Sequence, residues 1–351
     1  MKMAKIAVGV LGATGMVGQT IVQMLSNHPW FKVTEVAASE KSAGRPYGEV
    51  MSSRWNISAE MPDYAKDLTV KECTPNLDCD IVLSALDSSV AQKVEENFAK
   101  EGYAVSSNAK NHRMDPDVPL LIPEINADHV DLIKTQQKAR GWDGFIVTDP
   151  NCSTIQMCIA LKPIMDSFGL EKVMVTTMQS LSGAGYPGIP SMDIIDNVIP
   201  FINDEEDKLE TEPLKILGKV SQGSINAADI GISAQCNRVG VRYGHTECVS
   251  IKLSKKATEK DILSSFEGFR PIKDLKLPSA PEKPIVYMGQ ENRPQPKLDV
   301  NTGNGMASVV GRLRKCSILD YKFVVLGHNL VRGAAGAAVL NAELLKVKGY
   351  I

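Results

Sequence analysis

Three glycines near the start of the chain constrain the fold more than any other feature of the sequence. They fall in residues 12–18 (GATGMVG), between a short apolar run at residues 5–11 and an amphipathic stretch at residues 20–25. A buried parallel strand, a glycine turn and a helix are the context in which a dinucleotide pyrophosphate binds at a helix N-terminus. The spacing is G-x-x-G-x-x-G rather than G-x-G-x-x-G, so an ordinary tight turn is the alternative interpretation.

Alternating strand and helix patterns continue through the first half of the chain. Apolar, β-branched segments at residues 32–38, 80–86, 103–108 and 144–148 each predict a strand, with connecting segments that include helices. This alternation predicts an α/β chain with a Rossmann-like doubly wound parallel sheet, which binds ligands at the carboxyl ends of its strands.

The 351 residues are enough for a second domain with its own core. We predict that a nucleotide-binding domain spans residues 1–149 and that a second, α+β domain spans residues 150–328. The last segment, residues 329–351, begins with small residues and continues as an Ala- and Leu-rich helix. We expect this helix to return and complete the first domain.

The end of the second predicted strand bears on the choice of cofactor. An NAD enzyme usually carries an acidic residue about 20 residues beyond the glycine turn, where it binds the ribose 2′-hydroxyl. This segment reads Ser39, Glu40, Lys41 and Ser42, and hydroxyls with a lysine suit a 2′-phosphate. Glu40 fits less well and is expected to point away. We therefore predict NADP rather than NAD.

One cysteine stands where a reactive thiol would be useful. Cys152 lies in residues 149–154 (DPNCST), between a predicted strand and a helical pattern that Gly169 ends. A cysteine at a helix N-terminus meets the positive end of the helix dipole, which favours the thiolate. The thiolate is the nucleophile of covalent catalysis. The alternative, a small buried core residue, fits this segment equally well.

The second half of the chain offers partners for such a thiol. One strand pattern ends in Gln179, and an alternating pattern at residues 236–245 ends in His245. Within that pattern Arg238 and Arg242 are predicted to share a face. A catalytic cysteine needs an acid or base near its sulfur and a fixed cation for an anionic substrate. Taken singly, a lone histidine is more often a surface or hydrogen-bonded residue, and arginines on strands are often solvated.

Composition and charge narrow the classes of function. The formal net charge is −2 and the sequence has no long apolar run, so it predicts neither nucleic-acid binding nor a membrane span. The seven cysteines form no C-x-x-C pair, and no secretory signal precedes the first strand. We therefore expect reduced thiols in the cytoplasm rather than disulfides, and no metal site.

Motifs spread over nearly the whole chain resemble one family. They are, in order, GATGMVG, SNAKNHRM, PEIN, DPNCSTIQ, MQSLSGAGYPGIPSMDIIDN, CNRVGVRYGHTE and HNLVRGAAGAAVLNAE. The chain resembles aspartate-β-semialdehyde dehydrogenases of the archaeal and fungal branch. The resemblance implies reversible, NADP-dependent reductive dephosphorylation of L-4-aspartyl phosphate to L-aspartate 4-semialdehyde through a Cys152 thioester. This reaction belongs to lysine, threonine, methionine and isoleucine biosynthesis. Residues 150–328 would then be a catalytic and dimerisation domain that builds a homodimer or homotetramer.

The resemblance also implies a role for individual residues. Cys152 is the implied nucleophile, His245 the general acid and base, and Gln179 the residue that orients the substrate. The implied substrate ligands are Arg238 for the α-carboxylate, Glu212 for the ammonium, and Lys215, Arg113 and Asn151 for the phosphate. The implied cofactor positions are Gly12, Thr14, Gly15, Met16, Val17, Ser39, Ser42, Ser84, Gly183 and Asn329.

Other interpretations stay open. Lys215 could be a solvated helix residue, and Asn151 could only cap the helix that follows it. A malonyl-CoA reductase would use the same cysteine, histidine and NADPH but release coenzyme A. It needs neither an ammonium-binding carboxylate nor a phosphate site, so Glu212 and Lys215 argue against it. A non-catalytic NADP-binding redox sensor would need the cofactor fold and the cysteine, but not the other catalytic residues.

Overall fold

The computed structural model describes residues 4–351. The strands of the first sheet are β1 (Ile6–Leu11), β2 (Phe31–Ala38), β3 (Val70–Glu72), β4 (Ile81–Ser84), β5 (Ala104–Ser107) and β6 (Phe145–Thr148). They are all parallel and follow the order β3-β2-β1-β4-β5-β6. The strand order reverses between β1 and β4, where the carboxyl ends of strands form a crevice for ligands. The predicted Rossmann-like doubly wound sheet is confirmed.

The helices of this half connect the strands. They are α1 (Met16–Met24), α2 (Tyr47–Met51), α3 (Asp63–Lys66), α4 (Ser88–Lys100), α5 (Pro123–Asn126) and α6 (Leu132–Arg140). Helix α1 follows the glycine turn directly. Gly12 has a φ of +71°, and a Cβ there would lie 2.5 Å from the carbonyl oxygen of Ala85. A Cβ at Gly18 would lie 2.4 Å from the carbonyl oxygen of Gly12. The turn therefore requires glycine at both positions, and it places the α1 N-terminus at the crevice.

The second half of the chain forms a mixed sheet with helices. In chain order its elements are α7 (Cys152–Phe168), β7 (Leu170–Gln179), α8 (Ser191–Ile194), α9 (Glu205–Ile216), β8 (Lys219–Ser221), β9 (Ser224–Asn226), β10 (Gly231–Arg238), β11 (His245–Leu253), α10 (Glu259–Gly268), β12 (Ile285–Met288), α11 (Pro296–Asp299), β13 (Ser308–Lys315) and β14 (Tyr321–Gly327). The large sheet has the order β10-β7-β11-β14-β13-β12, and β8 pairs with β9 separately. The predicted second α+β domain is confirmed.

Helix α7 packs into the core of this second domain. Its residues Ile155, Ile159 and Ile164 lie in one apolar cluster with Val173 and Val249 of the mixed sheet. The first residue of the helix is Cys152, so the packing that buries α7 also fixes where the cysteine stands. The first sheet ends at Thr148, just before this helix.

The predicted strand at residues 236–245 is wrong in its second half. β10 ends at Arg238, and His245 begins β11. Arg242 lies in the connection between them, 5.0 Å over the ring of Tyr243, and does not share a strand face with Arg238. Because β10 and β11 pair with opposite edges of β7, the connection brings Arg238 and His245 to the end of β7 at Gln179.

The C-terminal segment returns to the first domain, as the sequence suggests. A π-helix at Val331–Ala335 leads into α12 (Gly336–Val347). Apolar side chains of α12 lie in the core of the first sheet, and Glu343 pairs with His28 at 2.7 Å.

Within residues 4–351 no helix is long and apolar enough to cross a membrane, and no cluster of three His, Cys, Asp or Glu side chains is arranged to hold a metal ion.

Candidate active site

A cleft of about 1430 Å³ runs from the glycine turn to Cys152. It begins at the carboxyl ends of β1 and β4, where the strand order reverses, and reaches the N-terminus of α7. The residues of the sequence prediction that line it are Gly12, Thr14, Gly15, Met16, Val17, Ser39, Arg113, Asn151, Cys152, Gly183, Arg238 and Asn329. The structure thus brings most of the expected cofactor and substrate residues to one opening.

Two predicted cofactor residues lie outside this cleft. Ser84 is fully buried, and its hydroxyl donates to the Glu95 carboxylate of α4 at 2.6 Å. The next residues along, Ala85 and Leu86, line the cleft instead. Ser42 is also buried, and its main-chain N–H donates to the carbonyl of Ser39. The predicted cofactor roles of Ser84 and Ser42 are therefore corrected, because both side chains are enclosed by protein.

The sequence prediction did not include the residues that form one wall of the cleft. Arg54 and Asn56 line it near the glycine turn. The buried amide of Gln19 donates to the carbonyls of both Thr14 and Arg54, and it accepts from the main-chain N–H of Asn56. Gln19 thereby ties the segment after α2 to the glycine turn. The segment carries no recognisable motif, so only the fold could reveal it.

Cys152 is the first residue of α7, and its neighbour Asn151 organises the helix start. The Asn151 side-chain oxygen accepts from the N–H groups of Ser153 and Thr154 at 2.9 and 3.3 Å. This is the N-cap that the sequence left as an alternative. On the other side of Cys152, a Cβ at Gly333 would lie only 2.6 Å from the cysteine Cβ. The π-helix therefore packs directly against Cys152.

His245 contacts the sulfur of Cys152. Its Nε2 lies 3.1 Å from Sγ, and its Nδ1 accepts from the main-chain N–H of Ser180 at 3.0 Å. Gly183 gives the ring room, since a Cβ there would lie 3.0 Å from His245 Cε1 and from a guanidinium nitrogen of Arg238. His245 is fully buried and contacts Cys152, while Cys152 and Arg238 both line the cleft.

Burial controls the protonation of this pair. Burial raises the pKa of the Cys152 thiol to about 12, with a further increase from the Glu205 carboxylate and a partial offset from Arg113, Arg238 and Lys208. Burial also lowers the pKa of His245 to about 3. The increase for Cys152 opposes the thiolate that the helix dipole is expected to favour, and the two pKa shifts favour a neutral thiol beside a neutral imidazole.

Arg238 and Gln179 stand side by side at the ends of β10 and β7. The Arg238 guanidinium donates to the carbonyl of Ser180 at 2.8 Å and also lines the cleft. Gln179 is buried and donates to the hydroxyl of Thr177 at 3.3 Å; it does not line the cleft. Burial raises the pKa of Glu205, but its neighbours lower that pKa below the ordinary value. Lys208 lowers it most, and hydrogen bonds from Asn151 and Gln179 lower it further.

Glu205 and Lys208 of α9 line the cleft, although the sequence prediction did not include them. The Lys208 ammonium donates to the Glu205 carboxylate at 2.9 Å, and the Asn151 side-chain amide donates to both of its oxygens at 2.9 and 3.0 Å. One carboxylate and one ammonium therefore stand beside Cys152. Their Glu-x-x-Lys spacing is visible in the sequence and could have revealed them.

Glu212 and Lys215, which were predicted to bind substrate, lie elsewhere. Glu212 is buried, pairs with Arg113 at 2.9 Å, and accepts from the main-chain N–H of Asn151 at 2.7 Å. The Lys215 ammonium donates to three main-chain carbonyls, those of Arg113, Asp115 and Val118, at 2.7 to 2.8 Å. Neither side chain lines the cleft. Their predicted contact with substrate is corrected: the protein itself occupies both groups.

Comparison with known proteins places this architecture. Residues 7–133 match the family model for the semialdehyde dehydrogenase NAD binding domain, and residues 161–332 match that for the semialdehyde dehydrogenase dimerisation domain. The chain is 54% identical to an aspartate-semialdehyde dehydrogenase of Archaeoglobus fulgidus, with 97% of each chain covered. It is 44% identical to a malonyl CoA reductase (NADP) of Metallosphaera sedula, again with 97% of each chain covered.

Solved structures give the same result. The crystal structure of aspartate semialdehyde dehydrogenase with NADP from Candida albicans superimposes with a TM-score of 0.91 at 41% sequence identity, covering 99% of this chain and 100% of that one. The predicted resemblance to archaeal and fungal enzymes is confirmed. The chain belongs to the semialdehyde dehydrogenase family.

Proposed function

We propose that this protein catalyses the reversible, NADP-dependent conversion of L-4-aspartyl phosphate into L-aspartate 4-semialdehyde and phosphate. The observation that carries the proposal is the position of Cys152: its sulfur lies 3.1 Å from His245 in the same cleft as the glycine turn. The reaction would serve the biosynthesis of lysine, threonine, methionine and isoleucine. Relatives named aspartate-semialdehyde dehydrogenase support the substrate class.

The residues of the glycine turn fit NADP. Within residues 4–351 no side chain caps α1 at Gly15, so the first N–H groups of the helix are available to a phosphate. Ser39 and Lys41 line the cleft at the end of β2, where a hydroxyl and an ammonium suit a 2′-phosphate. Glu40, which was expected to point away, lines the cleft between them. When bound, NADPH supplies the hydride that reduces an acyl group on the cysteine.

The chemistry of the chain centres on the sulfur. Cys152 attacks the acyl carbon of the aspartyl phosphate and expels phosphate, which leaves a thioester. Reduction gives a thiohemiacetal whose collapse releases the semialdehyde and regenerates the cysteine. The main-chain N–H of Cys152, at the start of α7, is the proposed donor to the developing oxyanion. Gln179 and Asn329 complete the proposed site, the first by positioning Glu205 and the second at the cofactor.

The charges beside Cys152 fit the groups of this substrate. Arg238 can pair with the α-carboxylate through a planar guanidinium fork. We propose that Glu205 binds the substrate ammonium and that Lys208, Arg113 and Asn151 bind the phosphate. These assignments rest on the cleft position of each side chain and on the Asn151 amide, which holds the Glu205 carboxylate beside the sulfur.

Quaternary structure and location complete the proposal. We propose a homodimer or homotetramer built through residues 150–328, a region that includes most of the match to the dimerisation-domain model. Exposed apolar side chains support self-association: Tyr186, Met192, Ile195, Val198 and Phe201.

All seven cysteines are free thiols, which supports the proposed cytoplasmic location. We also propose the domain boundaries at residues 149 and 328.

The second candidate is a malonyl-CoA reductase. The similarity to the Metallosphaera sedula relative, which has this name, supports it. Such an enzyme could share Cys152, His245 and the cofactor site. Its acyl group carries no ammonium and leaves no phosphate, so the carboxylate of Glu205 and the ammonium of Lys208 favour the amino-acid phosphate. A non-catalytic redox sensor needs none of these charged groups around its cysteine.

The decisive assay follows NADPH absorbance with purified protein. Aspartate semialdehyde, NADP and phosphate are compared with the same mixture without phosphate, and with malonyl-CoA plus NADPH. We expect phosphate-dependent NADPH formation that disappears in Cys152→Ala. Oxidation of NADPH by malonyl-CoA without any phosphate-dependent reaction would move the assignment to the second candidate.

A further inference from the structure

The segment that follows α2 is held against the glycine turn by two buried side chains. The Tyr47 hydroxyl donates to the carbonyl of Ala13 at 2.7 Å. The Gln19 amide donates to the carbonyls of Thr14 and Arg54 at 2.9 and 3.0 Å. The main chain of Arg54 is therefore fixed beside the residues that lead into α1.

The side chain of Arg54, unlike its main chain, is not engaged by the fold. The residue is exposed and lines the cleft. Every hydrogen bond that Arg54 forms within residues 4–351 involves its main chain. By contrast Arg45, at the other end of α2, pairs with Glu49 at 2.7 Å and lies outside the cleft. A fixed main chain thus presents the Arg54 guanidinium to whatever binds in the cleft.

Arg54 shares one end of the cleft with the residues that follow β2. The main-chain N–H of Ala13 donates to the carbonyl of Ala37 at 3.0 Å, so the glycine turn meets the end of β2. Residues 39–41 follow β2 and line the cleft there. Glu72, at the end of the neighbouring strand β3, lines it as well. These residues and Arg54 define what we call the β2 end of the cleft.

The charges at the β2 end do not suit a phosphate unless Arg54 is counted. Lys41 contributes one ammonium, whereas Glu40 and Glu72 contribute two carboxylates. A phosphate monoester carries about −1.5 to −2 charges at neutral pH, so this balance would repel it. The Arg54 guanidinium offsets the second carboxylate, and its planar fork of N–H donors fits phosphate oxygens.

Given the NADP site of the proposed function, on which this inference rests, we propose that Arg54 binds the 2′-phosphate of NADP and determines the preference for NADP over NAD. In doubly wound folds an arginine near the dinucleotide site accommodates this phosphate. NAD carries a hydroxyl at the same position and offers the guanidinium no charge. Glu40 could accept a hydrogen bond from that hydroxyl, so without Arg54 the β2 end would suit NAD at least as well.

Binding of the dinucleotides to the full-length protein, measured by isothermal titration calorimetry, tests this role. Arg54→Met keeps much of the length of the side chain and removes its charge. Arg45→Met is the matched control, because it removes an exposed arginine of the same segment that lies outside the cleft. The probes are NADP and NAD, together with adenosine 2′,5′-bisphosphate and 5′-AMP, which differ by the same phosphate without the nicotinamide half.

We expect Arg54→Met to increase the Kd for NADP by about tenfold to a hundredfold, the loss of a charged hydrogen bond. The Kd for NAD should stay within about threefold, which also shows that the site is folded. Adenosine 2′,5′-bisphosphate should weaken like NADP, and 5′-AMP should not. Arg54→Lys, which keeps the charge but not the fork, should lie between the two. Arg45→Met should bind all four probes as the unsubstituted protein does.

Three results would overturn the proposal. They are equal weakening of NADP and NAD in Arg54→Met, unchanged binding of NADP in that variant, and an unsubstituted protein that binds NADP no more tightly than NAD. The titrations need neither substrate nor turnover. If NADP binds as expected but the NADPH assay shows no phosphate-dependent reaction, the proposed function fails and the role of Arg54 stands.

Discussion

Helix α9 carries two Glu-x-x-Lys pairs of identical spacing that lie in different surroundings and have different roles. Glu205 and Lys208 lie at its N-terminal end and line the cleft beside Cys152. Glu212 and Lys215 follow two turns later, roughly 10 Å along the helix, and are buried against Arg113 and the carbonyls that follow it. The first pair faces the cleft. The charged groups of the second pair are bound by other groups of the protein.

The difference shows what spacing can and cannot predict. The four residues fall near one face of the helix, because steps of three and four residues return to the same side. Sequence spacing therefore selects the face correctly but cannot say which turn reaches the cleft. That depends on where α9 meets α7 and the segment around Arg113, which is a matter of tertiary packing.

Removing the buried carboxylate gives the largest expected effect on stability. Glu212→Ala leaves Arg113 buried without its ion-pair partner, which costs about 3–5 kcal/mol of the free energy of unfolding. Urea denaturation measures this. The matched control is Glu49→Ala, whose pair with Arg45 is exposed and is expected to contribute less than about 1 kcal/mol. Equal losses in the two variants would contradict the structural role of Glu212.

Removing the charge of the other carboxylate should affect binding instead. Glu205→Gln keeps the shape and one acceptor for Asn151 but loses the charge proposed to hold the substrate ammonium. We expect the KM for aspartate semialdehyde to increase by about tenfold to a hundredfold, the worth of one charged hydrogen bond. The free energy of unfolding should change by less than about 1 kcal/mol. Glu206→Gln, one residue along and outside the cleft, is the control with unchanged KM.

The lysines extend the comparison. Lys208→Met should increase the KM for phosphate by about tenfold, since one charge contact to an anion is lost. Lys162→Met removes a surface partner of Asp166 on α7 and should leave that KM unchanged. An unaltered phosphate KM in Lys208→Met would remove that lysine from the proposed phosphate site.

The smallest effect concerns the reactivity of the sulfur. With the Cys152 pKa raised to about 12, the thiolate fraction increases about tenfold per pH unit below that value. Alkylation should therefore accelerate steadily from about pH 7 to about pH 10 without a plateau. Because the Glu205 carboxylate raises this pKa, Glu205→Gln should be alkylated about threefold to tenfold faster at each pH. A plateau near neutral pH would show a stable thiolate instead.

Local features of the site were predictable from sequence. The glycine turn, the N-terminal helix behind it and the position of Cys152 at the start of α7 all follow from short-range patterns, because glycine conformation and helix capping are local properties. The cofactor end of the cleft depends largely on main-chain groups, and such groups leave a clear record in glycine spacing.

Features that depend on side chains from distant segments were not predictable. The Gln19 amide recruits the segment of Arg54 and Asn56, and no motif marks that contact. Ser84 ends β4, yet its hydroxyl points to Glu95 rather than to the cleft. Both outcomes follow from which neighbouring element packs on each face, which spacing along one strand or helix does not encode.

The most direct test of the account is capture of the acyl enzyme. The protein is mixed with aspartate semialdehyde and NADP without phosphate, and NADPH formation and the intact mass are followed together. The account predicts a burst of one NADPH per active site, an acyl adduct on the peptide that contains Cys152, and its discharge when phosphate is added. A burst without an adduct, or an adduct on another cysteine, would contradict it.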